Sequence, residues 1–133
     1  LPHSGRELLM DRRIAFLKKQ MLSDLRQTFT IEKMARSVNL SESYLLQLFK
    51  REVGMSPIQY LQSLRLEKAR ELLEESFKNV KEIRFEVGIK DKSHFVRDFK
   101  TKYGASPSEY RRLHWAKLEA EDDQKQQIIE SAN

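Results

Sequence analysis

The chain has 133 residues, no cysteine, 39% apolar and 34% charged residues, and a net charge of +5. Without cysteine there is neither a disulfide nor a thiolate metal site. No apolar run approaches the ~18 residues of a membrane span, and no secretory leader is visible at the start.

The charge is uneven. From Ala116 onward two lysines stand against five carboxylates, −3 of the total, which leaves +8 on residues 1–115. A basic body with an acidic tail (116–133) points to an anionic partner such as nucleic acid. The length suits one domain or two very small ones. A chain starting at Leu1 rather than Met reads as a fragment, so a sensory or dimerisation domain is expected to be missing from it.

Residues 1–10 carry no firm pattern and read as a lead or a piece of linker. From Asp11 to about Arg26, Ile14, Leu17, Met21, Leu22 and Leu25 fall at spacings of three and four, the mark of one apolar helix face. Thr30 is a good N-cap for a short helix, Ile31 to Val38, with Ile31, Met34, Ala35 and Val38 inward. Ser41 caps a third helix, Glu42 to Val53, whose buried face is Leu45, Leu48, Phe49 and Val53. Gly54 then supplies the positive φ of a helix stop. Ser56 and Pro57 restart the chain, serine as cap and proline at the first position, where no amide hydrogen is missed.

The fourth helix, Pro57 to about Glu74, carries Ile58, Leu61, Leu64, Leu66, Ala69, Leu72 and Leu73. Asn79 and Glu82 make a capping box for a fifth helix over Val80–Val87, which Gly88 ends. A sixth spans Lys92 to Tyr103 behind Asp91, with Phe95, Phe99 and Tyr103 buried. Gly104, Ser106 and Pro107 repeat the stop and restart. A seventh helix begins at Pro107 and extends to Trp115 or beyond, and the acidic, Gln-rich remainder reads as frayed helix or disorder.

The chain says the same thing twice. "FKREVGMSPIQY" from Phe49 returns as "FKTKYGASPSEY" from Phe99. "IEKMARSVNLSESYLLQLFK" and "VKEIRFEVGIKDKSHFVRDFK" both read short helix, tight turn, longer helix, with one extra residue in the second turn. Each unit alone is too small for a good core. The fold class is therefore all-α: seven helices forming two helix-turn-helix subdomains (11–56 and 76–115) joined by a long linker helix (57–75).

In such a unit the second helix fits the major groove. With Leu45, Leu48 and Phe49 inward, Ser43, Leu46, Gln47 and Lys50 face out. With Phe95 and Phe99 inward, Lys92, Ser93, Val96, Arg97 and Lys100 face out. Gln47 can pair bidentately with adenine and Arg97 with guanine, and Leu46 and Val96 suit thymine methyl groups. Ser41, Lys50, Arg51 and Lys100 lie where phosphates run.

Catalysis is not indicated. His3, His94 and His114 are scattered without metal-ligand spacing, and no phosphate-cradling glycine loop occurs. No cofactor is implied.

These residues resemble the DNA-binding region of the AraC/XylS family of bacterial transcription regulators. The likeness covers roughly Thr28 to Arg112, through "MARSVNLSESYLLQLFKREVGMSPIQYL", "RLEKARELL", "VKEIRFEVG" and "SHFVRDFKTKYGASPSEYR". It implies seven helices in two helix-turn-helix subdomains, with two recognition helices (about 42–53 and 92–103) in successive major-groove segments. By position it assigns base reading to Ser43, Leu46, Gln47, Lys92, Ser93, Val96 and Arg97. Arg84 stands where the family usually has a small residue, commonly Ala; Ile89 replaces a frequent Phe, and His94 a frequent Tyr or other side chain. Leu46 is apolar where polar readers are common. Arg84 is expected to turn its head outward with its stem packed.

The expected function is sequence-specific binding of double-stranded DNA to regulate transcription in the cytoplasm, with RNA polymerase as a further partner. The rival reading is a protein-interaction module that docks through Leu46, Val96 or the acidic tail.

Overall fold

The computed structural model describes residues 10–132, so most of the N-terminal lead lies outside the described residues. Among them are seven helices and no strand: α1 (Arg12–Ser23), α2 (Ile31–Ser37), α3 (Glu42–Val53), α4 (Pro57–Glu75), α5 (Val80–Glu86), α6 (Lys92–Tyr103) and α7 (Pro107–Ala132). The all-α architecture follows the sequence expectation element by element. The chain divides into two compact units between Arg65 and Leu66, inside α4.

The first unit is built on Ile14, Leu17 and Met21 of α1, Met34 and Ala35 of α2, Leu45, Leu48 and Phe49 of α3, and Leu61 of α4. Burying a side chain such as Phe49, which is fully enclosed, contributes about 1.5–3 kcal/mol relative to leaving it in water. The Tyr60 ring lies 5.7 Å from that of Phe49.

Helix ends follow their punctuation. The Asp11 carboxylate accepts from the Arg13 amide at 2.8 Å and also holds the Arg13 guanidinium. That side-chain bond to Arg13 pulls the Asp11 carboxyl down to about 2. Thr30 Oγ1 accepts from the Lys33 amide and Ser41 Oγ from the Tyr44 amide, each at 3.1 Å. At the start of α4 the Ser56 hydroxyl accepts from the Gln59 amide while Gln59 Oε1 accepts from the Ser56 amide. This is a complete capping box.

One sequence expectation shifts here. Leu22 is 61% exposed rather than part of the α1 face. Each helical residue turns the side chain by roughly 100°, so Leu22 leaves the stripe through Ile14, Leu17 and Met21 near the helix end. Ile58, in the first turn of α4, is likewise exposed. Arg65 spans part of the gap after α1: its guanidinium donates to Leu25 O at 2.8 and 3.0 Å and to Gln27 O at 3.0 Å.

The second unit repeats the plan. Leu66, Ala69 and Leu73 of α4 have the spacing of Ile14, Leu17 and Met21, and they pack with Ile83, Val87, Phe95 and Phe99. Phe99 meets Tyr103 at 4.7 Å and Tyr110 at 5.5 Å between ring centroids. Trp115, the ninth residue of α7, stands where Arg65 stands in α4. Like Arg65 it donates to a main-chain carbonyl, here in the last turn of α4 itself, Nε1 to Glu74 O at 3.2 Å. Arg111 ties the same chain end through Leu73 O and Ser76 O. Beyond Trp115 the acidic segment continues α7 as exposed helix to Ala132, which decides the open choice between helix and disorder.

Glu74 is the polar centre of this unit. Its carboxylate accepts from the Tyr110 hydroxyl and from Arg70 at 2.7 Å, with His114 Nε2 3.9 Å away. Burial pushes its carboxyl up, but the Tyr110 and Arg70 hydrogen bonds and the positive charge of Arg70 outweigh this and hold it below its ordinary value of 4.5. A folded-state pKa below the unfolded one gives stability that is complete above the unfolded value and fades as pH falls through the folded one. Thermal unfolding between about pH 3 and 6 should therefore show stability falling below pH 4.5. Glu74→Gln should flatten that slope, and an unchanged slope would contradict this role for the carboxylate.

Candidate nucleic-acid interface

The turn between α2 and α3 passes through Asn39 at φ +57, and the turn between α5 and α6 through Gly88 at φ +80, the equivalent place in the repeat. A left-handed residue here reverses the chain in minimal length. Asparagine tolerates this conformation and glycine adopts it freely. Asn39 donates its amide to Arg36 O, and Gly88 donates to Phe85 O.

On α3 the inner face is Leu45, Leu48 and Phe49, all essentially inaccessible. Ser43, Leu46, Gln47, Lys50 and Arg51 are exposed, as expected. Gln47 has no hydrogen-bond partner among the described residues, so its amide is available to a base edge. Ser41 is exposed but its oxygen already accepts the Tyr44 amide; its hydroxyl proton remains free to donate to a phosphate oxygen.

On α6, Lys92, Ser93, Arg97 and Lys100 are exposed. Val96 is only half exposed, a correction to its outward placement. It follows Phe95 by one position, roughly 100° round the helix, and so sits on the flank of the buried face. Arg97 is 67% exposed, with Nε 3.1 Å from Asp98 Oδ1. That neighbour orients the guanidinium without burying it, and the pair is worth little in water.

One feature lay beyond sequence reasoning, and a second corrects an expectation. Tyr44, on the first turn of α3, has the Arg13 guanidinium over its ring at 5.7 Å. The guanidinium is half-buried and already paired with Asp11, so the contact braces Tyr44 and the start of α3. Only the packing of α1 against α3 brings these distant positions together, so local spacing carried no signal.

The second is Arg84, whose head is not simply turned out to water as expected. It is half-buried and turns its head back onto the helix-turn-helix corner, donating Nη1 to Ile89 O at 3.1 Å and Lys90 O at 2.6 Å. Those carbonyls belong to the turn that has one residue more than its counterpart. Asp91, which caps α6, is held below its usual range chiefly by the His94 amide.

No group of three or more His, Asp or Glu able to hold a metal occurs among the described residues, and none of their helices is long and apolar enough to cross a membrane.

A family model described as a helix-turn-helix domain matches residues 34–113. The chain belongs to this family, in its AraC-type branch of DNA-binding domains.

It is 32% identical over 102 residues to the transcriptional regulator MtrA of Neisseria gonorrhoeae, covering 77% of this chain and 34% of that protein. The C-terminal domain of AraT, a response regulator from Geobacillus stearothermophilus, superposes with a TM-score of 0.73 at 32% identity, over 78% of this chain and 87% of that one. The DNA-binding domain of AdpA, a global transcriptional factor solved in complex with a target DNA, superposes with a TM-score of 0.75 at 27% identity, over 79% and 95%. The chain spans about a third of the length of the curated relatives it matches.

Arg84→Ala, although it restores a small residue, should destabilise the second unit by about 1–2 kcal/mol through two lost charge-assisted hydrogen bonds. Urea unfolding measures this. A neutral or stabilising effect would show that the turn carbonyls are equally well served by water.

Proposed function

We propose that the chain regulates transcription by laying α3 and α6 into successive major-groove segments of one DNA duplex. Gln47 and Arg97 are the principal base readers. Ser43, Leu46, Lys92, Ser93 and, from its flank, Val96 complete the reading faces. Ser41, Lys50, Arg51 and Lys100 meet the phosphate backbone.

The observation that carries this reading is the doubled geometry. In each unit an apolar inner face fixes the second helix of a helix-turn-helix, and polar side chains without strong internal partners stand on its outer face. Phosphate contacts supply affinity and salt dependence, and base-edge contacts supply sequence preference.

The intact protein, on this reading, acts in the cytoplasm, carries a sensing or dimerising part beyond these residues, and contacts RNA polymerase. The support for the further part is that the curated relatives are about three times as long as the segment they share with this chain.

Selection from random duplexes tests the proposal as a whole. The expected outcome is an enriched motif in two parts about one helical turn apart. Binding no tighter than ~10⁻⁴–10⁻⁶ M without preference would favour the protein-interaction reading.

Two substitutions separate the roles. Arg97→Ala should cost about 1–3 kcal/mol and relax preference at one base pair; equal weakening on every sequence would remove Arg97 from the base readers. Lys50→Gln should weaken binding uniformly and reduce the salt slope by about one unit, measured by titration of one duplex across a salt series.

A further inference from the structure

Where α4 ends and α7 passes Trp115, the second unit holds a cavity of about 290 Å³ whose lining includes none of the proposed DNA-contacting residues. Its apolar lining is Phe77, Trp115 and Leu118. Phe77 meets the Trp115 ring edge-on at 5.5 Å yet is 93% exposed, and Leu118 is 43% exposed. Trp115 itself is fixed, by its bond to Glu74 O and by the Arg111 guanidinium 5.2 Å over its ring. The cavity thus has a rigid aromatic wall and an aromatic rim that water now covers.

Its polar lining has one sign. Glu75, Glu119 and Asp122 line it, and none of the three forms an ion pair among the described residues. Glu74, also in the lining, is already matched by Arg70 and Tyr110. Three uncompensated carboxylates repel a phosphate backbone and attract a cation. They stand out on a chain whose first 115 residues carry +8. The wall that carries Glu119 and Asp122 is the exposed run of α7, where Gln126 to Glu130 is the one side-chain pair at helical spacing among the described residues. An exposed helix with few such pairs and with Leu118, Ile128 and Ile129 open to water gains stability from a partner.

We propose that this cavity docks a cationic segment of a partner protein, an apolar side chain entering against Phe77, Trp115 and Leu118 while flanking Lys or Arg residues pair with Glu75, Glu119 and Asp122. A size near the lower end of ligand pockets, ~300 Å³, suits one or two side chains rather than a whole helix. The site shares no residue with the proposed base-reading faces, so occupancy and DNA binding are measured on different side chains.

Trp115 is the only tryptophan in the chain, so its emission reports the cavity directly. The probes are capped hexapeptides Lys-Arg-X-X-Lys-Arg with X as Leu, Ile or Phe, each paired with a Glu-for-cation version and with X as Ala. At least one cationic apolar peptide should change the emission saturably, and its acidic and Ala counterparts should not. Phe77→Ala, and separately Glu119→Gln with Asp122→Asn, should each weaken that peptide by about tenfold. The carboxylate variant should also lose most of the salt dependence. Affinity for the selected DNA duplex should stay the same in both variants, which also reports that they are folded.

No saturable response from any cationic peptide at millimolar concentration overturns the proposal. So does an equal response to the acidic peptides, or undiminished binding by Phe77→Ala. Self-association of the chain that both variants abolish would give the cavity to a second copy, and would overturn it as well.

Discussion

Two helices and a turn expose nearly as much apolar surface as they hide, so a helix-turn-helix depends on what lies behind its second helix. In both units that support is an aromatic ring at the same place, Phe49 and Phe99, each fully enclosed. Each ring is closed in by a tyrosine of the following helix, Tyr60 or Tyr110. The direction of the outer face depends on this contact, because one buried ring near the helix centre fixes rotation about the helix axis. Gln47 and Arg97, two residues before those rings, face away from the core for that reason. The Ser-Pro restart after Gly54 and Gly104 serves the same end: left-handed φ values of +89 and +84 turn the chain sharply enough for the next helix to reach the ring.

The units solve their polar problems differently. In the first, Arg65 closes the chain end after α1, and burial pushes its pKa down without any carboxylate to offset it. In the second, Trp115 and Arg111 share that work, and a carboxylate, Glu74, organises Arg70, Tyr110 and His114 around itself. Tyr110 pays for this with a raised pKa, from burial first and the Glu74 carboxylate second. The second unit thereby holds its carboxylate among core-flanking side chains, whereas the shifted carboxyl of the first, Asp11, caps a helix end. It also acquires the aromatic cavity at the start of the acidic helix.

Arg84 shows how a departure from the usual residue is absorbed. A long cation in place of a small side chain would crowd a two-helix corner if it pointed inward. Here the guanidinium serves the carbonyls of a turn lengthened by one residue. Two irregularities, the extra residue and the arginine, compensate one another, and the core residues Ile83 and Val87 remain fully buried.

Sequence alone settled the helices, their caps and the repeat. Periodicity, left-handed glycines and Ser, Thr, Asp or Asn caps act within a few residues, so their energetics are written locally. It also settled which residues of α3 face outward. It misplaced Leu22 and set Val96 too far outward, because the edge of a buried stripe depends on what packs beside it. The equivalence of Leu66, Ala69 and Leu73 with Ile14, Leu17 and Met21 went unseen, since three residues are missing between core helix and cap in the second copy and the register slips. Only the tertiary structure joined Arg13 to Tyr44, Trp115 to Glu74 O, and Phe77 to Trp115. These contacts link positions remote in the chain or hinge on a loop conformation, and no periodicity encodes a distance that packing alone creates.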